Sequence, residues 1–430
     1  MRSFNLLIIF LLCYGNASAE VREVTPSHDL QAAIDSAHNG DILRLSAGIY
    51  QGNFIVTNEI TIDGKNEAII DAQGQGHGIE LQASNVVIKN LTIHNWGHDL
   101  TNQNSGIYLD QAHHHITIEN NQLNGDGFGI WLQKGHHFDV LDNHISGNPK
   151  LRSADRGNGI QLSMVQDAYV EGNQIEHTRD GLYIISSENN LLENNTMRHL
   201  RFGVHYMYSH HNSVINNYTY DTRAGYALMS SRHLEVTGNH AYDSREYGFL
   251  LNFITQSNIS HNYLSKVWTR DQDRALGREG KGLFVYNSGY NTINYNVVES
   301  AEIGIHLTAG SEQTKMSGNS FINNPTQVKY VSNSAQEWSQ NGQGNYWSNY
   351  LGWDLNNDAR GDTAFEPNDG IDKILWQYPE AKILMHSPTV LMLRWIQTQF
   401  PVLKPPGVKD SYPLMRSIID LSPTMPSPQG

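Results

Sequence analysis

The chain has 430 residues, a formal net charge of −14 and one cysteine, Cys13. The acidic balance argues against a nucleic-acid partner, because phosphate is bound by a basic surface. After the first twenty residues no apolar run is long enough to cross a bilayer.

Residues 1–19 combine a basic start, an unbroken apolar run from Leu6 to Leu12 and the small-residue pattern Ala17-Ser18-Ala19, predicting a secretory signal cut before Glu20. Leu12, rather than a small residue, precedes Cys13, which argues against lipid attachment. The exported chain would then have no cysteine. Any metal it handles must be held by His, Met, Asp, Glu, Asn or backbone oxygen.

Residues 20–77 are expected to form an N-terminal cap and the first rungs of the fold. Ser27 to Asp41 has helical spacing in Leu30, Ile34 and Ala37, with Ser27 or Asp29 able to cap it, and would cover an open sheet edge.

From residue 78 to 345 the sequence repeats. A glycine followed by apolar-x-apolar recurs at Gly78, Gly106, Gly129, Gly159, Gly181, Gly203, Gly225, Gly248, Gly282 and Gly304, at spacings of 28, 23, 30, 22, 22, 22, 23, 34 and 22. A second signature, apolar-x-x-Asn-x-apolar, follows in most units and supplies Asn121, Asn143, Asn173, Asn195, Asn239, Asn262, Asn296 and Asn319. Short alternating strands cannot bury their apolar side alone and must stack. A period of about 22 residues fits three strands per turn of an all-β, right-handed parallel β-helix, with coils about 4.8 Å apart and the asparagines laddered inside a turn.

The long units carry their extra residues after the Asn turn, at 94–105, 146–158 and 265–281. Insertions at one rung position decorate one flank of the rod, where functional loops gather.

Strand alternation leaves two outward columns. One contains Trp131, Tyr183, His205, Leu250, Phe284 and His306; the next contains Ile185, Met207, Met229 and Tyr286. Water-facing columns should be polar, so Trp131, Tyr183, Ile185, Leu250, Phe284, Tyr286 and His306 are candidate partner-binding residues, unless a helix of the same chain covers them. His205, Met207 and Met229 combine imidazole and thioether on one face, a donor set that suits Cu(I). The adjacent histidines 113–115 and 136–137 read as solvated turns.

Residues 346–403 form a C-terminal extension. Asp354, Asn356, Asp358 and Asp362 occupy positions 1, 3, 5 and 9 of a calcium-loop template, although the glycine falls at Gly361 and position 12 is Phe365. Calcium and an Asx-rich turn both fit. A helix is predicted from the cap Ser387 and Pro388 to Phe400. Residues 404–430 are proline-rich and read as an extended or disordered tail that reaches a partner.

Parallel β-helices also carry polysaccharide lyases, hydrolases and epimerases, which need carboxylates converging in one groove. Asp155-Arg156, Arg179-Asp180, Arg245-Glu246 and Asp271 to Arg274 are the candidates, and none forms a dense carboxylate column on one face.

The stretches RFGVHYMYS, GYALM, DRGNGIQL, GIHLTAGSE, TQVKYV, GNYWS and AKILMHSPTVLMLRWIQTQFPVL resemble the NosD family, periplasmic maturation proteins of nitrous oxide reductase. The resemblance covers nearly the whole chain after the signal. It implies a non-enzymatic role in building copper centres, together with an ABC transporter of permease and ATPase subunits, a copper-chaperone lipoprotein and the client reductase. No ATP site is expected here, since no Gly-x-x-x-x-Gly-Lys-Ser/Thr loop occurs.

Overall fold

A computed structural model of the protein describes residues 19–418, apart from 274–277, 309, 331, 333, 385–386 and 401–405. The predicted signal, but for Ala19, and the last part of the tail lie outside the described residues.

The repeat folds as a parallel β-solenoid of about 14 turns. Successive coils pair in register: Leu182, Val204, Tyr226, Phe249, Leu283 and Ile305 face the interior one above another and are buried. The glycine that heads each coil is there because the next coil passes close by. A Cβ on Gly203 would lie 2.6 Å from the Gly225 carbonyl oxygen and 2.3 Å from Cγ2 of Thr219.

The asparagine ladder runs from Asn121 to Asn345. Each side-chain amide donates to the next Asn Oδ1, as Asn195 does to Asn217 at 2.9 Å, and each Oδ1 also accepts the backbone N–H of the Asn one coil earlier. Each amide further reaches a buried carbonyl, as Asn217 does to Leu192 O at 2.9 Å, so the turn is satisfied without water. Asn217 and Asn345 belong to this column in addition to the eight read from the repeat. Serine makes a second ladder, with Ser187 N on Ser209 Oγ and Ser209 N on Ser231 Oγ.

At the N-terminal end, helix α1 (Leu30–Asp35) starts from Asp29, whose carboxylate accepts the Ala32 N–H. It buries Leu30 and Ile34 and is tied to the first coil through Gln31, which bonds both the N–H and C=O of Ile55. The helix is shorter than its spacing suggested: it ends at Asp35, with the Ser36 N–H bonded back to the Ala32 carbonyl.

The C-terminal extension holds two helices, α2 (Gly370–Gln377) and α3 (Pro388–Gln399). Ser387 caps α3 as predicted, accepting from Val390 N. Arg394 of α3 pairs with Asp369 and Asp372 at the start of α2. α3 leaves Leu391, Met392 and Trp395 exposed, and it is bonded to α2 through Arg394 and through Gln397, which accepts the Gly370 N–H.

The tail corrects another expectation, because residues 406–418 are built into the fold. Val408–Lys409 pairs with Gln336–Glu337, and the buried Asp410 carboxylate ends the asparagine ladder by accepting Asn345 N at 2.7 Å and Trp347 Nε1 at 2.8 Å. Trp347 stacks on Phe321 and Trp338 and closes the core.

Candidate metal-binding and docking face

The outward columns form as alternation requires. Tyr183 pairs with His205, His205 with Ala227, Ala227 with Leu250, Leu250 with Phe284 and Phe284 with His306. Beside them Ile185 pairs with Met207 and Met207 with Met229.

These side chains cover one another more than the sequence suggested, because coil spacing is close to ring-stacking distance. Tyr183 lies 4.5 Å from the His205 ring and Phe284 lies 4.9 Å from His306, centroid to centroid. Trp131 is only 8% exposed, packed on Phe128, and offers little surface to a partner. Tyr183, Ile185, Leu250, Phe284 and His306 are half-buried, and Tyr286 is exposed. Phe253, 54% exposed at the adjoining turn, packs edge-on to Tyr286 and extends the apolar surface.

His306 sits among Phe284, Lys281 and Lys329. Burial, reinforced by the two lysines, pushes its pKa down to about 3, so the ring is neutral at ordinary pH. Burial likewise lowers Lys281.

His205 is the most constrained group of this face, 7% exposed. Its Nδ1 lies 2.9 Å from Oδ2 of Asp180, which is 1% exposed and also takes the Arg201 guanidinium, Nε to Oδ1 at 2.8 Å. Burial pushes the Asp180 carboxyl up, but the Arg201 and His205 bonds outweigh it and hold the pKa below its usual value. A carboxylate only accepts, so Nδ1 carries a proton, and in the neutral ring Nε2 is the nitrogen with the lone pair. That Nε2 is buried and, among the described residues, has no hydrogen-bond partner.

An imidazole aimed by a carboxylate, with its other nitrogen unengaged, is the arrangement of a metal-ligating histidine and its outer support. Met207 and Met229 add two thioether sulfurs in register, both half-buried. Met207 Sδ accepts a hydrogen bond from the Tyr183 hydroxyl at 3.3 Å, which leaves a second lone pair. Neutral imidazole and thioether fit Cu(I) and fit hard cations poorly. Asp180 was not singled out for this role by the repeat, since it lies one coil before His205.

The calcium residues have other work. Asp354 accepts the N–H groups of Asp358 and Ala359, Asp358 that of Arg360, and Asp362 that of Leu355, an Asx-turn network. Among the described residues no group of three His, Cys, Asp or Glu side chains is placed to hold a metal, so Asp354, Asp358 and Asp362 do not converge. The same holds for the histidines at 113–115 and 136–137, which instead stack across two coils, His114 on His136 at 5.4 Å.

No helix among the described residues is long and apolar enough to cross a membrane. Of the candidate carboxylates for a sugar-cleaving groove, Asp155 pairs with Arg152, Asp180 with Arg201 and Glu246 with Arg223.

Known proteins with similar coils include a PL6 alginate lyase complexed with a trisaccharide, at TM-score 0.53 and 14% identity over 75% of this chain and 86% of that one. A DFA-IIIase from Arthrobacter chlorophenolicus matches at TM-score 0.51 and 13% identity, over 75% and 93%. These likenesses concern the fold alone. A family model for a right-handed β-helix region matches residues 19–175, and one described as periplasmic copper-binding protein (NosD) matches 141–352. Among full-length relatives, one from Stutzerimonas stutzeri is 48% identical over 87% of this chain and 86% of its own length. One from Pseudomonas aeruginosa is 45% identical over 96% of both. Each is named a probable ABC transporter binding protein NosD. With the repeat, the closing C-terminal segment and identity at this level over most of its length, the chain belongs to the NosD family.

Proposed function

We propose that this chain is an accessory protein for building the copper centres of nitrous oxide reductase, with no bond-making chemistry of its own. On this reading it works outside the inner membrane and is held there through partners. It links the permease and ATPase of an ABC transporter to a copper-chaperone lipoprotein and to the client enzyme. Cu(I) is cargo, held in passing.

The observation that carries the reading is the unpartnered, buried Nε2 of His205, aimed by Asp180, beside the paired Met207 and Met229. Ile185, Leu250, Phe284, Tyr286 and His306 form the surface against which a copper-bearing partner would seat. The family description supports a copper role in general, and the names of the relatives support association with an ABC transporter. The carboxylates already committed to arginines favour this role over polysaccharide cleavage.

The test is Cu(I) titration of the mature chain against a chromophoric competitor, with the double variant Met207→Ser, Met229→Ser alongside. Retained folding with at least about tenfold weaker Cu(I) binding and lower copper loading of the reductase is expected. Unchanged binding and loading would remove the metal role, and uronic-acid polymer cleavage by the purified chain would replace the whole reading.

A further inference from the structure

The residue two before the coil glycine makes a column of its own at one corner: Arg179, Arg201, Arg223 and then Glu246. The backbones stack directly, with Arg201 N on Arg179 O at 2.8 Å and Glu246 N on Arg223 O at 2.9 Å. The inserted loop after Ser146 stands beside this column and contributes Arg152 and Arg156. With His199 and Arg245 these side chains line one cleft of about 660 Å³. Six arginines in one concavity stand out in a chain whose net charge is −14.

Only part of that charge is answered. Arg152, Arg201, Arg223 and Arg245 each have a carboxylate, and Asp221 is shared between Arg245 and Arg270. Arg156 spends its donors on the carbonyls of Leu151, Pro149 and His177. Among the described residues neither Arg156 nor Arg179 pairs with a carboxylate, and the Nε of Arg179 and of Arg245 is buried with no acceptor. Arg179, which lines the cleft with no carboxylate of its own, has guanidinium donors to offer an acceptor that arrives from outside.

We propose that this cleft is the docking site for an acidic, carboxylate-bearing peptide segment of a protein partner. Guanidinium forks take carboxylates in pairs, as Arg201 already does with Asp180. The concave shape, walled by the 151–156 loop, admits a chain segment, whereas a bilayer surface would meet the acidic remainder of the rod. The local field draws acidic segments to this corner of an otherwise repelling surface. Arg201 also holds the carboxylate that orients His205, so the partner would seat directly beside the candidate copper position. The proposal rests on the docking reading only in taking the partner to be a protein.

The test uses the full mature chain and a fluorescein-labelled hexaglutamate followed by anisotropy. Binding should weaken strongly between about 30 mM and about 300 mM salt. Arg179→Glu should weaken it about tenfold or more, while Arg232→Ala, outside the cleft, should not. Arg179→Ala, which removes a side chain with no carboxylate partner, serves if the Glu variant fails to fold. Equal affinity in Arg179→Ala and the parent would overturn the proposal. So would full displacement of the peptide by millimolar inorganic phosphate, which marks a small-anion site, or Arg179-dependent sedimentation with phosphatidylglycerol vesicles, which marks a membrane face. A chain that binds the peptide but not Cu(I) would sink the copper reading and leave this one standing.

Discussion

Nδ1 of His205 lies 2.9 Å from Oδ2 of Asp180, a contact between neighbouring coils that fixes both the tautomer and the direction of the imidazole. Asp180→Asn would leave the Arg201 charge unanswered and release His205. It should cost about 3 kcal/mol of stability and, measured well below the unfolding transition, lower Cu(I) affinity by tenfold or more. Full copper affinity in that variant would show that the aspartate serves the fold alone.

The asparagine column should be costly to interrupt in its middle. Asn217→Ala deletes the donor to Asn239 and Leu192 O and orphans the donors from Asn195. Urea unfolding should show a loss of about 3 kcal/mol. Asn102→Ala, whose amide reaches only the exposed Asp99, should stay within about 0.5 kcal/mol.

Two glycines make a matched pair. Gly203→Ala drives a Cβ into the Gly225 carbonyl, whereas nothing lies within 4 Å of a Cβ on Gly407. The first should cost about 2 kcal/mol or more and the second less than about 0.5 kcal/mol, by thermal or denaturant unfolding.

The C-terminal closure should respond to pH. Burial pushes the Asp410 carboxyl up to about 6, against the pull of the Trp347, Asn345 and Tyr412 N–H donors. The folded chain therefore keeps a proton that the unfolded chain releases between about pH 4 and pH 6. This contribution is whole below about pH 4 and is lost as pH rises through 6, up to about 3 kcal/mol. Asp180 and Asp221, whose pKa values are lowered, act with the opposite sign and weaken the fold as pH falls. The difference between the parent and Asp410→Asn across that window isolates the effect, and a flat difference would refute it.

Much of this was legible because a solenoid converts sequence period into spatial neighbourhood. The glycine spacing placed Met207 beside Met229, and alternation placed both outside. The capped helix at Ser387 was legible from its own residues. Less legible were contacts that step off the register: Asp180, aligned with Phe202, reaches His205 on the next coil, and Asp410 of the tail reaches Asn345 across 65 residues. No local period encodes them. The ring contacts that cover Trp131 and His205, from Phe128 on the same strand and Tyr183 on the coil before, were hidden for a related reason, since polarity patterns say which way a side chain points but not what its neighbours cover. Proline content misread the tail, where one buried aspartate and a two-residue strand outweigh composition.

In-register stacking also makes the rod a measuring stick. Apart from the irregularity between Asp63 and Ala68, each coil repeats the alignment of the last, so the reach from the sulfur pair to the tryptophan-sealed end is counted in whole coils. Duplicating or deleting one complete coil would move a partner's seat by a fixed step of about 4.8 Å while leaving every file of side chains on its own side.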